Sequence, residues 1–321
     1  MEVAMDDIQV SIICNAYNHE KYIRDAMEGF VMQRTTFPFE ILVHDDASTD
    51  KTADIIREYE KRYPEIVKPI YETVNQYSKR DGSLQRIQYG RVQGRYIALC
   101  EGDDYWTDPL KLQKQFDALE ANPNVDICAS GTKTEVSGKV QDRVFPSNED
   151  GLFTPDEVIR GGGGFVATGS LMYRKEVREN SLPFFYKMSG DYPLQITGSL
   201  RGGMLYLGAP MSVFRAETIG SWTVRMNQNL EARKKHNDRV CEMLQQLNTD
   251  TAGKYQKAIL EAINDLKFEC LVQAREYRAI CASQYNIQFR KMPSYRRAVM
   301  KIGQYCPKAA SLIFDLRRRM R

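Results

Sequence analysis

Apolar and polar positions alternate along the first 130 residues with two different periods. Short runs in which nearly every position is apolar, at 10–14, 40–44, 96–100 and 125–129, predict strands buried on both faces. Between them the spacing becomes helical. Ile23, Ala26, Met27 and Phe30 fall at i, i+3, i+4 and i+7; Ile55, Tyr59 and Tyr63 share the face of a second helix, and Leu112, Phe116 and Leu119 that of another. Residues 66–71 add a third strand and 84–92 a weaker helix. Strand and helix in strict alternation predict an α/β fold, Rossmann-like, with a mostly parallel sheet covered by helices on both faces, because parallel neighbours need crossover connections. Ser48 or Thr49 is the expected cap of the second helix, and Asp108, followed by Pro109, that of the helix after the central strand.

Beyond residue 130 the alternation weakens. Residues 132–146 are polar and predict a hairpin or an insertion. Gly161, Gly162, Gly163 and Gly164 form a loop or hinge; the strand and helix that flank a phosphate-binding glycine loop are missing. A strand is expected at 168–174, and two edge strands at 204–207 and 211–215. From about residue 225 the period is helical, with Val240, Met243, Leu244 and Leu247 on one face and Ile259, Ala262, Ile263, Leu266 and Cys270 on another. The boundaries that follow are an α/β domain over 1–222 and a helical region with a basic tail over 223–321.

Composition narrows the setting. With 321 residues and 42% hydrophobic content the chain can bury a large core. Its first ten residues are acidic with no apolar h-region, and no run approaches the roughly 20 apolar residues of a spanning helix, so a cytoplasmic protein is expected. Seven scattered cysteines without a CxxC pair read as reduced thiols, and His19, His44 and His236 lack metal-ligand spacing. The net charge of +3 is uneven: 290–321 carries ten Lys and Arg against Asp315, leaving about −6 for the rest, which argues against nucleic acid as a partner. The basic tail, with Val299, Ile302, Leu312, Ile313, Phe314 and Leu316, suits either peripheral contact with the inner face of an anionic membrane or a solvated docked helix.

The chemistry-bearing residues cluster where strands end. Glu101, Asp103 and Asp104 follow the run at 96–100, and Asp45 and Asp46 follow the run at 40–44. Acids at the carboxyl ends of parallel strands open on one edge, into the crevice that such sheets use for ligands. A hard cation, Mn2+ or Mg2+, would hold them together and keep positions open for phosphates; the alternative is a solvated turn.

Three motifs in order, VSIICNAYNHEKYI, EILVHDDASTDKT and YIALCEGDDYWTDPLKLQKQ, resemble the nucleotide-binding half of family 2 glycosyltransferases, inverting enzymes with a GT-A fold. The resemblance is strong over 8–130 and looser over 165–222. It implies that Asn15 and Tyr17 contact the uracil of a UDP-sugar, and that Asp46 accepts a hydrogen bond from its imide. Asp103 and Asp104 would share ribose and metal contacts. Glu101 stands where Asp is more usual, and a basic residue near the base or diphosphate would come from Lys79, Arg80, Arg86 or Arg91.

The stretch SGDYPL resembles the family's Glu-Asp element at the start of an acceptor-side helix, with Gly190 where Glu is frequent; Asp191 would be the general base. In inverting transfer the acceptor hydroxyl attacks from the face opposite the leaving diphosphate, so a carboxylate must take its proton. Taken alone, Asp191 reads better as a helix cap, and the resemblance shifts it to the base. Arg215 lies in FRAE, where relatives carry an aromatic-Arg-x-His element, so Glu217 replaces a His; Arg215 and Trp222 are candidate contacts to donor or acceptor. The implied partners are a nucleotide sugar and a glycan or lipid-linked glycan acceptor. Two alternatives remain at this level, a sugar nucleotidyltransferase and a nucleotide-sugar-binding protein without transfer activity.

Overall fold

The first strand, β1 (Val10–Ala16), is buried along nearly its whole length and sits between β2 (Phe39–Asp45) and β4 (Tyr96–Leu99), parallel to both. This is the middle of a sheet seen here in a computed structural model that describes residues 7–188, 190–218, 224, 226 and 229–319, of which 314–319 through their backbone. The chain forms two compact units, Met1–Ser221 and Trp222–Arg321.

In the first unit the strand order is β3-β2-β1-β4-β9-β6-β10-β5, with β7 added beside β6 and β8 beside β10. The remaining strands are β3 (Ile70–Tyr71), β5 (Tyr105–Trp106), β6 (Ile127–Val136), β7 (Lys139–Phe145), β8 (Gly151–Phe153), β9 (Met172–Arg174) and β10 (Met204–Arg215). Among the described residues they are connected by α1 (Ile23–Val31), α2 (Thr52–Arg62), α3 (Ser83–Tyr89), α4 (Lys111–Ala121), α5 (Pro155–Gly161), α6 (Glu176–Glu179) and α7 (Asp191–Ser199).

Alternation decides which residues meet. Val10, Ile12, Cys14 and Ala16 point to one face and join Ile41, Val43, Tyr96 and Ala98 beneath α1, α2 and α4. The four apolar positions of α1 that the spacing singled out, Ile23, Ala26, Met27 and Phe30, are all fully buried there. Each such side chain contributes about 1.5–3 kcal/mol by leaving water. Several expectations change in the tertiary context. Residues 204–215 form one strand, interior between β6 and β5, and not two edge strands; a register shift between Leu207 and Pro210 interrupts the apolar pattern and made it look like two. Residues 168–174 are a 3-10 turn (Thr168–Ser170) followed by the short β9, which runs antiparallel to both β4 and β6. The expected third strand shrinks to two residues plus a bridge at Val67. The polar stretch at 132–146 is the β6–β7 hairpin, turning at Ser137 and Gly138, both with positive φ. Neither Ser48 nor Thr49 caps α2; its N-cap position is Lys51, with no side-chain cap, and Asp50 just before it accepts from the Thr52 N–H at 2.9 Å.

The second unit is helical. Asn229 caps Leu230–Asp250 by accepting from the Ala232 N–H, and Gln256–Ala274 follows. Val240, Met243, Leu244 and Leu247 are buried, as are Ile259, Ala262 and Ile263. A second apolar cluster gathers Phe268, Tyr277, Ile280, Tyr285, Val299 and Met300. Among the described residues no helix is long and apolar enough to cross a membrane. All seven cysteines are free, with Cys14, Cys100 and Cys128 buried and Cys306 exposed.

Candidate active site

Parallel pairing of β2, β1 and β4 brings their carboxyl ends to one edge, and the acid turn after β4 is strapped there by the backbone. The Cys100 N–H donates to Ile13 O and the Gly102 N–H to Asn15 O, while the Asp46 N–H donates to Ala16 O. Gly102 is needed for this approach. A side chain at that position would start 2.9 Å from His19 Nδ1 and 3.1 Å from both Ala16 Cβ and Asn15 O. The turn therefore lies flat on the end of β1, with its acids gathered beside Asn15.

Those acids repel one another in a poorly solvated place. Burial pushes the Glu101 carboxyl up to about 8; the Asp103 charge adds to this, a hydrogen bond from Asn15 opposes it, and the charge of Asp191 raises it further. Asp104 also stands well above the usual carboxylate range, through burial and then Asp103. Asp191, first residue of α7, is raised by burial and drawn back by the Thr168 hydroxyl and by the N–H groups of its own helix start. Its Oδ2 accepts from Thr168 Oγ1 at 2.7 Å. Hydrogen bonds connect the two segments: Thr168, bonded to Asp191, opens a turn whose Gly169 O accepts from Trp106 Nε1 at 2.7 Å, two residues past Asp104.

The other nominated residues lie around this centre. Tyr17 is 47% exposed, its ring open to a ligand. Asn15 Oδ1 accepts from Gln88 Nε2 at 3.2 Å. Asp46 is 3% exposed, and its two oxygens accept from the Gln76 N–H at 2.6 Å and the Tyr77 N–H at 3.0 Å, so it shapes the wall formed by 75–80. His44, fully buried, has Nε2 3.5 Å from Asp46 Oδ1. Among the four cations, Lys79 donates to Gln76 Oε1, Arg86 to Asp81 O and Arg91 to Lys68 O.

Arg215 is committed to the protein. Its N–H donates to Asp104 Oδ1 at 2.8 Å and its Nη1 to Asp103 O at 2.9 Å. The guanidinium pairs with Asp25 and Glu135 and lies over the rings of Tyr105 and Tyr22. Arg215 thus clamps the acid turn onto β10. Glu217, which stands where the family's His was expected, accepts from Ser137 N and Oγ and so ties β10 to the β6–β7 turn. Trp222 lies outside the described residues.

Two further residues, His19 and Thr168, reach the site without a local sequence signal. His19 lies against Gly102, with its Nδ1 enclosed and unpartnered, although nothing local in HEKY marks it. Thr168 was read as part of a strand; only the fold reveals that its hydroxyl meets Asp191.

No three His, Cys, Asp or Glu groups among the described residues converge in the manner of a complete metal cage. The donor set is nevertheless suited to a hard cation that keeps substrate oxygens in its shell. Asp103 and Asp104 offer carboxylates, Glu101 crowds Asp104, and the guanidinium of the neighbouring Arg215 is already paired with Asp25 and Glu135.

Comparison with known proteins agrees with this geometry. An uncharacterised protein of Mycobacterium tuberculosis is 36% identical over 215 residues, which is 66% of this chain and 60% of that one, so the chain spans less than two thirds of the relative's length. Among solved structures, S. aureus TarS in complex with UDP-GlcNAc superposes with a TM-score of 0.58 at 16% identity, covering 93% of this chain and 80% of that one. The mannosyltransferase PcManGT of Pyrobaculum calidifontis, in complex with GDP-Man and Mn2+, gives 0.53 at 14%, covering 95% and 84%. These likenesses show the GT-A fold. A family model described as glycosyl transferase family 2 matches residues 11–182, more than half of the chain. With its sheet, its strand-end acids and that match in agreement, the chain belongs to glycosyltransferase family 2.

Proposed function

We propose that this glycosyltransferase moves a sugar from a nucleotide sugar, UDP-linked, to a hydroxyl of a glycan or lipid-linked glycan, with inversion and with Mn2+ or Mg2+. The observation that carries the reading is the convergence of two carboxylate sources: the 3-10 turn whose Thr168 hydroxyl is bonded to Asp191 at the head of α7 is itself bonded, through Gly169 O, to Trp106, two residues past the acid turn after β4. Family membership sets aside the nucleotidyltransferase alternative. The UDP-GlcNAc bound by TarS supports a uridine donor, and the Mn2+ bound by PcManGT supports a metal.

Asn15 and the open ring of Tyr17 would receive the uracil. Each Asp46 oxygen accepts one backbone N–H and keeps a second acceptor direction for the imide. Asp103 would meet the ribose and, with Asp104, hold the cation, whose charge would offset that developing on the diphosphate. Asp191 would take the proton of the acceptor hydroxyl as the new C–O bond forms and the anomeric carbon–phosphate oxygen bond breaks. A carboxyl raised by burial is a stronger base once ionised, which suits that task.

The test is metal-dependent turnover of UDP-sugars by wild type and Asp191→Asn. The variant should bind UDP as wild type does and turn over about 10²- to 10⁴-fold more slowly; equal rates would remove Asp191 from the role. For the basic tail we propose contact with an anionic membrane, supported by exposed Ile302, Tyr305, Leu312 and Ile313 among its cations. Sedimentation with phosphatidylglycerol vesicles should exceed that with phosphatidylcholine vesicles, and equal sedimentation would refute it.

A further inference from the structure

Asp191 has two oxygens, and the fold treats them differently. Oδ2 accepts from Thr168 Oγ1 at 2.7 Å. Oδ1 lies beside the backbone of Gly163, 3.8 Å from where a Cβ on that residue would sit. The glycine stretch and the helix before it are each held to α7: Gln195 Nε2 donates to Gly163 O at 3.2 Å, and the Tyr192 hydroxyl to Ile159 O of α5 at 2.5 Å. Gly163 adds no side chain of its own there, and the Tyr192 side chain borders the same space, its Cβ 3.3 Å and its Cγ 3.8 Å from that point.

Thr168 is itself anchored from behind. It opens the 3-10 turn Thr168–Ser170, and the next two carbonyls of that turn are each taken by a buried side chain. Trp106 Nε1 donates to Gly169 O at 2.7 Å, and Gln115 Nε2 donates to Ser170 O at 2.8 Å. Gln115 is oriented in turn by Lys111, whose Nζ donates to its Oε1 at 2.6 Å. Trp106 stands two residues after Asp104, and Lys111 and Gln115 lie on the helix that follows. The segment that carries the acid turn therefore also fixes the turn that carries Thr168.

We propose that Thr168 is a positioning residue for the general base: it holds one oxygen of Asp191, presents the other toward the glycine stretch, and ties the base to the segment bearing the acid turn. This rests on the reading of Asp191 as the base. Its physical content is preorganisation. A base must stand within hydrogen-bond reach of the proton it removes, and a displacement of about 1 Å can cost about 10²-fold in rate. An unrestrained carboxylate would rotate about its Cβ–Cγ bond and meet the attacking oxygen in productive geometry only part of the time.

The experiment uses the full chain with Mn2+ and whichever of UDP-glucose, UDP-galactose and UDP-N-acetylglucosamine the wild type hydrolyses fastest, water serving as acceptor. Thr168→Val keeps shape and removes the hydroxyl; Thr168→Ser keeps the hydroxyl. The valine variant should lose about 10- to 100-fold in kcat with the donor KM unchanged, and the serine variant should recover most of the loss. A merely structural role would reduce thermal stability in both variants and would not divide kcat from KM in this way. Wild-type kcat in Thr168→Val, or a serine variant as slow as the valine one, would overturn the proposal. Full activity in Asp191→Asn would instead sink the base itself, whereas a slow Asp191→Asn beside a full-speed Thr168→Val sinks only the positioning role.

Discussion

Replacing Lys111 by methionine should change how stability depends on pH, in a direction the structure determines. Lys111 lies on α4 with no exposed surface, its Nζ bonded to Gln115 Oε1 and 4.2 Å from the centre of the Trp106 ring. Burial of its ammonium lowers the pKa from 10.5 to about 7; Cys100, Cys128 and Asp108 oppose that shift without cancelling it. Above pH 7 the folded protein sheds this proton while the unfolded chain keeps it until about pH 10.4. Wherever the unfolded state binds more protons, stability rises with pH, so the penalty is full below pH 7 and gone above about pH 10.4. At about 1.36 kcal/mol per unit the whole window amounts to about 4–5 kcal/mol, of which about 2–3 kcal/mol falls between pH 6 and pH 9. Methionine does not titrate, so the wild-type stability minus that of Lys111→Met should climb by that amount over the range. The absolute offset is not the test, because methionine leaves Gln115 Oε1 without its donor at a cost of about 1–3 kcal/mol. Urea unfolding at several pH values, followed by Trp106 emission in a Trp222→Phe background, isolates this unit, since the chain has two tryptophans. A difference that stays flat with pH would refute the reasoning.

Three further expectations follow from the clamp and the acids. Arg215→Ala should cost about 2–3 kcal/mol, less than a fully buried pair because Asp25 is half exposed, and should weaken UDP binding by loosening the acid turn; an unchanged melting temperature would contradict it. Glu217→Ala should lose about 0.5–1.5 kcal/mol with turnover and metal response untouched, since its carboxylate is bonded to Ser137. A lost metal response would show that Glu217 does the work of the family's His. Chelation with EDTA should stop turnover, and Mn2+ or Mg2+ should restore it; activity that survives chelation would remove the cation from Asp103 and Asp104.

Some of this protein was readable from one dimension. Buried strands and amphipathic helices declare themselves through local period, so β1, α1, β2, α2 and β4 emerged near their true places. The acid turn emerged with them, because once parallel strands are granted their ends share an edge. The folding code for these elements is local, and no distant partner had to be known. The same holds for the helical stripes beyond residue 225, where Val240, Met243 and Leu244 are buried as their spacing required.

What the tertiary structure alone decided depends on which distant groups meet. The residues 204–215 looked like two edge strands because a bulge interrupts their alternation; their place between β6 and β5 is a matter of register, which no window of sequence carries. Arg215 is expected from sequence as a ligand contact, and the fold adds Asp25, Glu135 and the acid turn as its protein partners, the first of them 190 residues away. Asp46 was given to a nucleotide, and the fold adds the backbone of Gln76 and Tyr77 as its present partners. Thr168 carries no motif at all, and it meets Asp191 because the fold brings the 3-10 turn ahead of β9 against the start of α7. Hydrophobic period is encoded residue by residue, whereas the partner of a hydroxyl or a guanidinium is set by the geometry of the assembled sheet.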